Sequence, residues 1–321
     1  MDTQYKMSVV VVTYNPSEIK LLETLSSIIL QKGLTFQIVV ADDGSADPCF
    51  DQVEAFFARH SFTDYVIVRN PENKGTVRNL ISGVERCTGE YVKTISPGDM
   101  LSGEYILRDW VDAAEQSSAQ MSFSDAVCYE EKDGIKCWKS GKAHPQTVDC
   151  YLFREENQIR WNYLIFGDLV LGAAIICHRD LLSTYLHMIN GKVIYAEDNI
   201  YRLMAYDHIT MHYFPEDAVI YELGSGISTS GNDIWKQRLK NDWDACTKLL
   251  LQRCKVKTQL DIALKISSTC SPAKTAMKLW RVLTNKRARQ YWKARKQFRT
   301  TGQTLPEAFL AQIHKTINTT E

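Results

Sequence analysis

The chain has 321 residues with 38 basic and 38 acidic side chains, so it can bury a sizeable core and carry an appendage, while its zero net charge names no partner. Its nine cysteines are odd in number and never form a C-x-x-C pair, which excludes a zinc ribbon or a disulfide framework as the organising device. No apolar run reaches the ~20 residues needed to cross a bilayer, and Val9 to Val12 is too short for a secretory leader, so the expectation is a soluble or peripheral cytoplasmic protein.

Two apolar runs, Val9 to Val12 and Ile38 to Ala41, end in Thr13-Tyr14-Asn15-Pro16 and Asp42-Asp43-Gly44-Ser45. β-branched runs closed by turn residues predict neighbouring parallel strands covered on both faces, with chemistry at their carboxyl ends. An ordinary turn is the competing account of Asp-Asp-Gly-Ser. Between them Ser17 is a candidate cap for a helix bearing Leu21, Leu22, Leu25, Ile28 and Ile29. A second helix is expected over 51–60, a third strand over 65–68, and a loop over Asn70-Pro71-Glu72-Asn73-Lys74-Gly75. Val77, Leu80, Ile81 and Val84 then have helical spacing, and 90–95 forms a fourth strand ending at Ser96-Pro97-Gly98-Asp99. Strand and helix alternating in this way predict a doubly wound α/β unit.

An amphipathic helix is expected over 102–119, followed by a hairpin of 121–129 and 135–139 that leaves the parallel sheet. Leu169 to Cys177 is expected as a strand, whose Gly172-Ala173-Ala174 allows a close approach to its backbone. A helix over 181–188 leads to Ala196-Glu197-Asp198, which opens another helix, and 218–221 is the last expected strand. The Gly/Ser/Thr segment 224–232 follows, with phosphate or sugar hydroxyls as ligands on one account and a plain linker on the other.

Val-Thr-Tyr-Asn, Ala-Asp-Asp-Gly-Ser, Asn73-Lys74-Gly75 with Asn79, Gly89-Glu90-Tyr91 and Glu197-Asp198, in this order, give a chain that resembles the family 2 inverting glycosyltransferases of GT-A fold. The resemblance covers about the first two-thirds of the chain. It implies a Rossmann-like, mostly parallel sheet and a nucleotide-sugar donor, usually carrying UDP. Thr13, Tyr14 and Asn15 would then line the base pocket, Asp42 would accept the uracil N–H, and Asp43 would lie toward the ribose. Lys74, Arg78 and Ser96 would complete the donor site, Arg78 reaching the base or the phosphates; an Arg78–Asp42 ion pair is the structural alternative.

The family often carries Asp-x-Asp after the fourth strand, whereas this chain has Ser96-Pro97-Gly98-Asp99. Only Asp99 would remain to bind Mn²⁺ or Mg²⁺, together with donor phosphates and water. The alternative is a Pro-Gly turn, with a basic residue neutralising the diphosphate instead. The resemblance makes Asp198 the base for a single in-line displacement, with Glu197 raising its pKa and Arg202 orienting it. A helix N-terminus that merely favours acidic residues is the rival account.

Residues 265–304 contain no acidic side chain, while ten Lys and Arg between Lys274 and Arg299 are interleaved with Trp280, Tyr291, Trp292 and Phe298. Such a segment suits an anionic membrane surface. Nucleic-acid binding and a solvated helical face are its alternatives. The expected organisation is thus a GT-A domain over 1–234 and a helical basic extension over 235–321, adding a sugar to a lipid-linked saccharide in surface-polysaccharide synthesis at the inner face of the plasma membrane. A nucleotidyltransferase and a non-catalytic scaffold stand as alternatives.

Overall fold

The computed structural model of the protein describes residues 4–224, 226, 231–295 and 299–318. β1 (Tyr5–Thr13), α1 (Glu18–Ile29), β2 (Phe36–Asp42), α2 (Phe50–Arg59), β3 (Tyr65–Arg69), α3 (Thr76–Val84) and β4 (Gly89–Ile95) follow the expected alternation. β1 pairs in parallel with both β2 and β4, and β2 with β3. Val9, Val11, Ile38 and Val40 face the apolar layer of α1, α2 and the later helix at 106–116, while Val10 and Val39 face α3 on the other side. Burial on both faces is the reason these strands are unbroken runs of Val and Ile. Ser17 stands at the N-cap of α1 but its side chain makes no capping bond there.

The chain continues through β5 (Met100–Leu101), α4 (Ile106–Gln116), β6 (Met121–Lys132), β7 (Ile135–Trp138), α5 (Asp149–Leu152), α6 (Glu156–Trp161), β8 (Ile175–His178), α7 (Arg179–Ile189), α8 (Ile200–Tyr206) and β9 (Met211–Glu222). These extend the sheet to the order β3-β2-β1-β4-β8-β6-β9-β5, with β7 attached to β6. Four expectations are corrected here. β6 is no excursion, because it pairs with β8 and runs parallel to β9 inside the sheet before its far end makes the hairpin with β7. The hairpin closes through Asp133 and Gly134, both at positive φ, a tighter turn than the five-residue connection expected. The strand expected over 169–177 is ordered as β only from Ile175, since residues 172–174 form a 3₁₀ turn. β9 is longer than expected, and a register shift opposite Ser124 and Asp125 absorbs Pro215 and Glu216.

Beyond residue 232 the described chain is mainly helical, with α9 (Asp233–Arg253), α10 (Gln259–Ser267), α11 (Ser271–Thr284), α12 (Lys286–Ala294) and α13 (Glu307–Asn318). Cys246, Leu249 and Leu250 of α9, Leu260 and Leu264 of α10 and Ala288 of α12 join the same buried layer as Val10 and Val39. α13 instead crosses to α1, where Phe309, Leu310 and Ile313 close over Met100, Tyr129 and Ile220. The buried Asp242 of α9 accepts the backbone N–H groups of Ile194, Tyr195 and Ala196 at 3.0, 2.7 and 2.9 Å, fixing the segment that leads into the acidic pair.

Replacing Asp242 with Ala removes the acceptor of three backbone donors together, so Asp242→Ala is expected to lower stability by about 3 kcal/mol in urea denaturation. Asp242→Asn, which keeps one carbonyl oxygen, is expected to lose less; equal losses would show that the carboxylate clamp does not hold the segment.

Candidate active site

β1 and β2 end side by side, with Thr13 opposite Asp42 in the register. Asp42 is fully buried: its Oδ2 accepts the hydroxyls of Thr13, at 2.9 Å, and Ser45, at 2.5 Å, and its Oδ1 accepts Ser45 N–H at 2.8 Å. Its carboxylate is turned into the protein, where it ties the β1 tip to the loop after β2. Thr13 is buried by the same pairing, whereas Tyr14 is 54% exposed beside it. Asn15, also exposed, donates its N–H to Ser45 Oγ at 2.6 Å, so the loop offers the Tyr14 ring and the Asn15 side chain on its outer face.

Asp43 holds the next loop. Its Oδ1 accepts Lys74 N–H at 2.9 Å and its Oδ2 accepts Gly75 N–H at 2.8 Å. Burial raises its pKa and these two amides oppose the rise. Gly75, at φ +89°, lies against Ile194: a Cβ there would meet Ile194 Cγ2 at 2.4 Å and its carbonyl oxygen at 2.7 Å. Only glycine permits that approach. Val77 N–H then donates to Ile194 O at 3.0 Å, so the Asn-Lys-Gly loop and the approach to the acidic pair are joined directly. Asn79 is buried and spans Thr13 O and Ala41 O with its amide, at 3.3 and 2.9 Å. Lys74 and Arg78 remain exposed on this rim, Lys74 paired with Glu72 at 2.9 Å.

At the β4 tip Ser96 is exposed, but Asp99 is turned inward. Its Oδ1 accepts Glu222 N–H of β9 at 2.9 Å, and burial pushes its pKa up to about 7 against the pull of that amide and of Lys93. Asp99 ties the β4 tip to β9 through that bond. Among the described residues no group of three His, Cys, Asp or Glu side chains is arranged to hold a metal. A divalent cation at Asp99 would rest on this one carboxylate together with donor phosphates and water.

The acidic pair occupies a short 3₁₀ turn, Glu197–Asn199, ahead of α8. Asp198 is open to solvent, Glu197 is partly covered, and both lie among dense protein atoms at the edge of the crevice. Gly172 is the floor beneath Asp198, since a Cβ on it would stand 3.2 Å from Asp198 Cβ. Burial raises both carboxyl pKa values; Asp198 adds to the rise at Glu197, while Arg202 opposes it at Asp198. Glu197 is pushed up to about 8, with the neighbouring Asp198 contributing to that rise. Arg202 is not the direct orienting partner expected. It is buried, donates to Asn199 Oδ1, Trp243 O and Thr247 Oγ1 at 3.1, 3.2 and 2.8 Å, and stacks 3.5 Å from the Trp243 ring.

Two residues that the motifs missed support this corner. Asp242 holds the backbone before Glu197. Lys93, completely buried in β4, donates to Thr94 O at 2.6 Å and to Ala173 O, so it pins the turn that carries Gly172. Burial brings its pKa down to about 7. A lysine in the middle of an otherwise apolar strand was the available signal for it. In the Gly/Ser/Thr segment, residues 225 and 227–230 lie outside the described residues.

The family model for glycosyl transferase family 2 matches residues 8–161. The glycosyltransferase GlyG of Streptococcus pneumoniae is 28% identical over 131 residues, which are 40% of this chain and 41% of that protein, so the match spans under half of either. Among solved structures, residues 1–349 of TarS from S. aureus in complex with UDP superpose at a TM-score of 0.55 and 14% identity, covering 89% of this chain and 77% of that one. The mannosyltransferase PcManGT of Pyrobaculum calidifontis, in complex with GDP-Man and Mn²⁺, gives 0.57 at 14% identity, covering 98% and 88%. At those identities the two structures establish the shared GT-A fold. The family model thus matches just under half of the chain, residues 8–161, and the chain shares the GT-A fold of these structures.

Proposed function

We propose that the protein transfers a sugar from a nucleotide-sugar donor, a UDP-sugar first among candidates, to the hydroxyl of a lipid-linked saccharide, with inversion, in surface-polysaccharide assembly. The observation that carries this reading is Asp198, a solvent-open carboxylate on the Gly172 turn, across from the loop held by Asp43. Tyr14, Asn15, Lys74, Arg78 and Ser96 are the exposed groups of the crevice and would meet the donor, the two cations facing its diphosphate. Thr13, Asp42, Asp43 and Asp99 shape it from within. Complexes of the fold relatives with UDP-GlcNAc and GDP-Man support a nucleotide-sugar donor.

In the proposed reaction Asp198 takes the proton of the acceptor hydroxyl as its oxygen bonds to the anomeric carbon. The bond from that carbon to the diphosphate oxygen breaks on the opposite side, and the nucleoside diphosphate departs with its electron pair. Glu197, holding a proton, leaves a single negative charge at the base. Asp99 with the donor diphosphate would hold a divalent cation, which would offset the charge of the leaving group.

Membrane attachment is the second part of the proposal. α11 exposes Leu279, Trp280 and Leu283, at 54, 39 and 71%, beside Ile262 and Ile266 of α10 and the exposed cations Lys286, Arg289 and Lys293. An apolar stripe with flanking positive charge suits the inner face of an anionic bilayer. Among the described residues no helix is long and apolar enough to cross a membrane, so attachment would be at the surface. Lys296 and Phe298 of this segment lie outside the described residues.

Thermal melting with UDP-, GDP- and dTDP-sugars, with and without Mn²⁺, is expected to show stabilisation by a UDP-sugar that is greater with Mn²⁺, since a ligand of the native state raises the midpoint. No shift with any nucleotide sugar would overturn the donor site. Asp198→Asn is expected to keep that stabilisation and lose at least ~10²-fold in turnover, a typical contribution of a general base. Glu197→Gln, which mimics the protonated side chain, is expected to retain most activity near neutral pH. In the parent protein kcat should rise with pH as Asp198 deprotonates, through a midpoint above the usual carboxylate range. Equal losses in the two variants would reassign the base. For attachment, Leu279→Asp with Leu283→Asp should abolish co-sedimentation with vesicles rich in phosphatidylglycerol and leave soluble-substrate turnover unchanged.

A further inference from the structure

The basic segment does not turn all its charge outward. Lys278 Nζ and Arg295 Nη1 donate to the same oxygen, Phe166 O, each at 3.2 Å, so the two charges stand no further apart than twice that distance. Lys274 Nζ lies 5.7 Å from the Trp243 ring, on which the Arg202 guanidinium also stacks. Nearby cations have counter-ions: Arg287 pairs with Glu155 and Arg299 with Asp125. Lys274, Lys278 and Arg295 have none among the described residues, and 265–304 supplies no acidic side chain. Burial first, and then neighbouring positive charge, hold both lysines below the ordinary lysine pKa. Arg202 acts on Lys274, while Lys274 and Arg295 act on Lys278. Three half-buried cations kept together without an anion repel one another, and an oxyanion between them would relieve that repulsion.

Their position relates them to Asp198. Phe166 closes the π-helical turn Asn162–Phe166, whose Tyr163 feels the charge of Asp198. Arg295 acts electrostatically on His144, which lines a cavity of about 360 Å³ together with Leu171, Tyr221 and Leu223. Leu171 immediately precedes the glycine under Asp198. The cluster is thus linked to the candidate base through Trp243, Arg202 and the 162–166 turn.

We infer that Lys274, Lys278 and Arg295 form an oxyanion site for the phosphate or diphosphate group of the acceptor, which would be recognised by its charge as well as by the hydroxyl it presents. The inference rests on the assignment of Asp198 as base. The planar guanidinium of Arg295 can engage two phosphate oxygens, with the lysines as point charges on either side. A nucleotide diphosphate bound from the donor side is the other source of the same chemistry, and the test separates the two.

Calorimetric titration of inorganic pyrophosphate into the full chain saturated with UDP is expected to show binding, weakened at least tenfold by Lys278→Gln with Arg295→Gln and retained by Lys278→Arg. UDP affinity should be the same in all of these proteins. Absence of pyrophosphate binding to the UDP-loaded parent protein, binding indifferent to the double variant, or binding that competes with UDP would each overturn the inference. Should the double variant melt early, the parent protein with and without UDP still decides. Failure of UDP itself to bind would count against the transferase reading and remove the acceptor assignment with it, whereas UDP binding without a second anion site would overturn the cluster alone.

Discussion

The approach of Gly75 to Ile194 is the contact on which the arrangement of the crevice depends. A buried carboxylate lies behind each side of it: Asp43 draws in the amides of Lys74 and Gly75, and Asp242 draws in those of residues 194–196. The two loops belong to different layers of sequence, one after β3 and one after α7, and they meet where a side chain at position 75 would not fit. The distance between the Lys74–Arg78 rim and the acidic pair is consequently set by backbone contact rather than by flexible side chains. Ionised acceptors for several amides make strong, directional ties, so each loop is held as a unit.

A similar economy governs the charged groups. Several acids that sequence motifs suggest as ligand contacts are internal acceptors: Asp42 for Thr13 and Ser45, Asp99 for Glu222. What remains outside includes Tyr14, Asn15, Lys74, Arg78 and Ser96, with Asp198 as the exposed acid of the pair. The basic segment divides in the same way. One part lies outward with Leu279 and Leu283, and another turns toward Phe166 and Trp243. A charge run in sequence carries no record of that division, because α11 and α12 present successive cations to different surroundings.

The first half of the sheet was legible because a strand covered on both faces must be a continuous apolar run, and the segments between had helical spacing. The same rule misplaced residues 169–174, where an equally apolar run bends into a 3₁₀ turn held by the buried ammonium of Lys93. β9 was under-extended because Pro215, Glu216 and Asp217 resemble a break, yet the sheet accommodates them in a register shift. At the site, order and spacing located the strand tips and the acidic pair. They did not distinguish a carboxylate that meets a ligand from one that meets Ser45, since both end a strand in the same residue. Lys93 and Asp242 went unnoticed because their partners are backbone atoms, which leave no motif.

Helix α13 closes over Met100, Tyr129 and Ile220 and packs on α1, joining segments from nearly opposite parts of the chain. Contacts of such long sequence separation incur a large loop-closure entropy and form late relative to the local strand–helix units around them. Tyr129, whose hydroxyl donates to Gly98 O at 2.6 Å, lies beneath that helix, so the β4 tip shares in its docking. Release of α13 would loosen this edge of the crevice while leaving the Asp43 and Asp242 ties intact, making the rim near Ser96 a separate cooperative unit from the corner that holds Asp198.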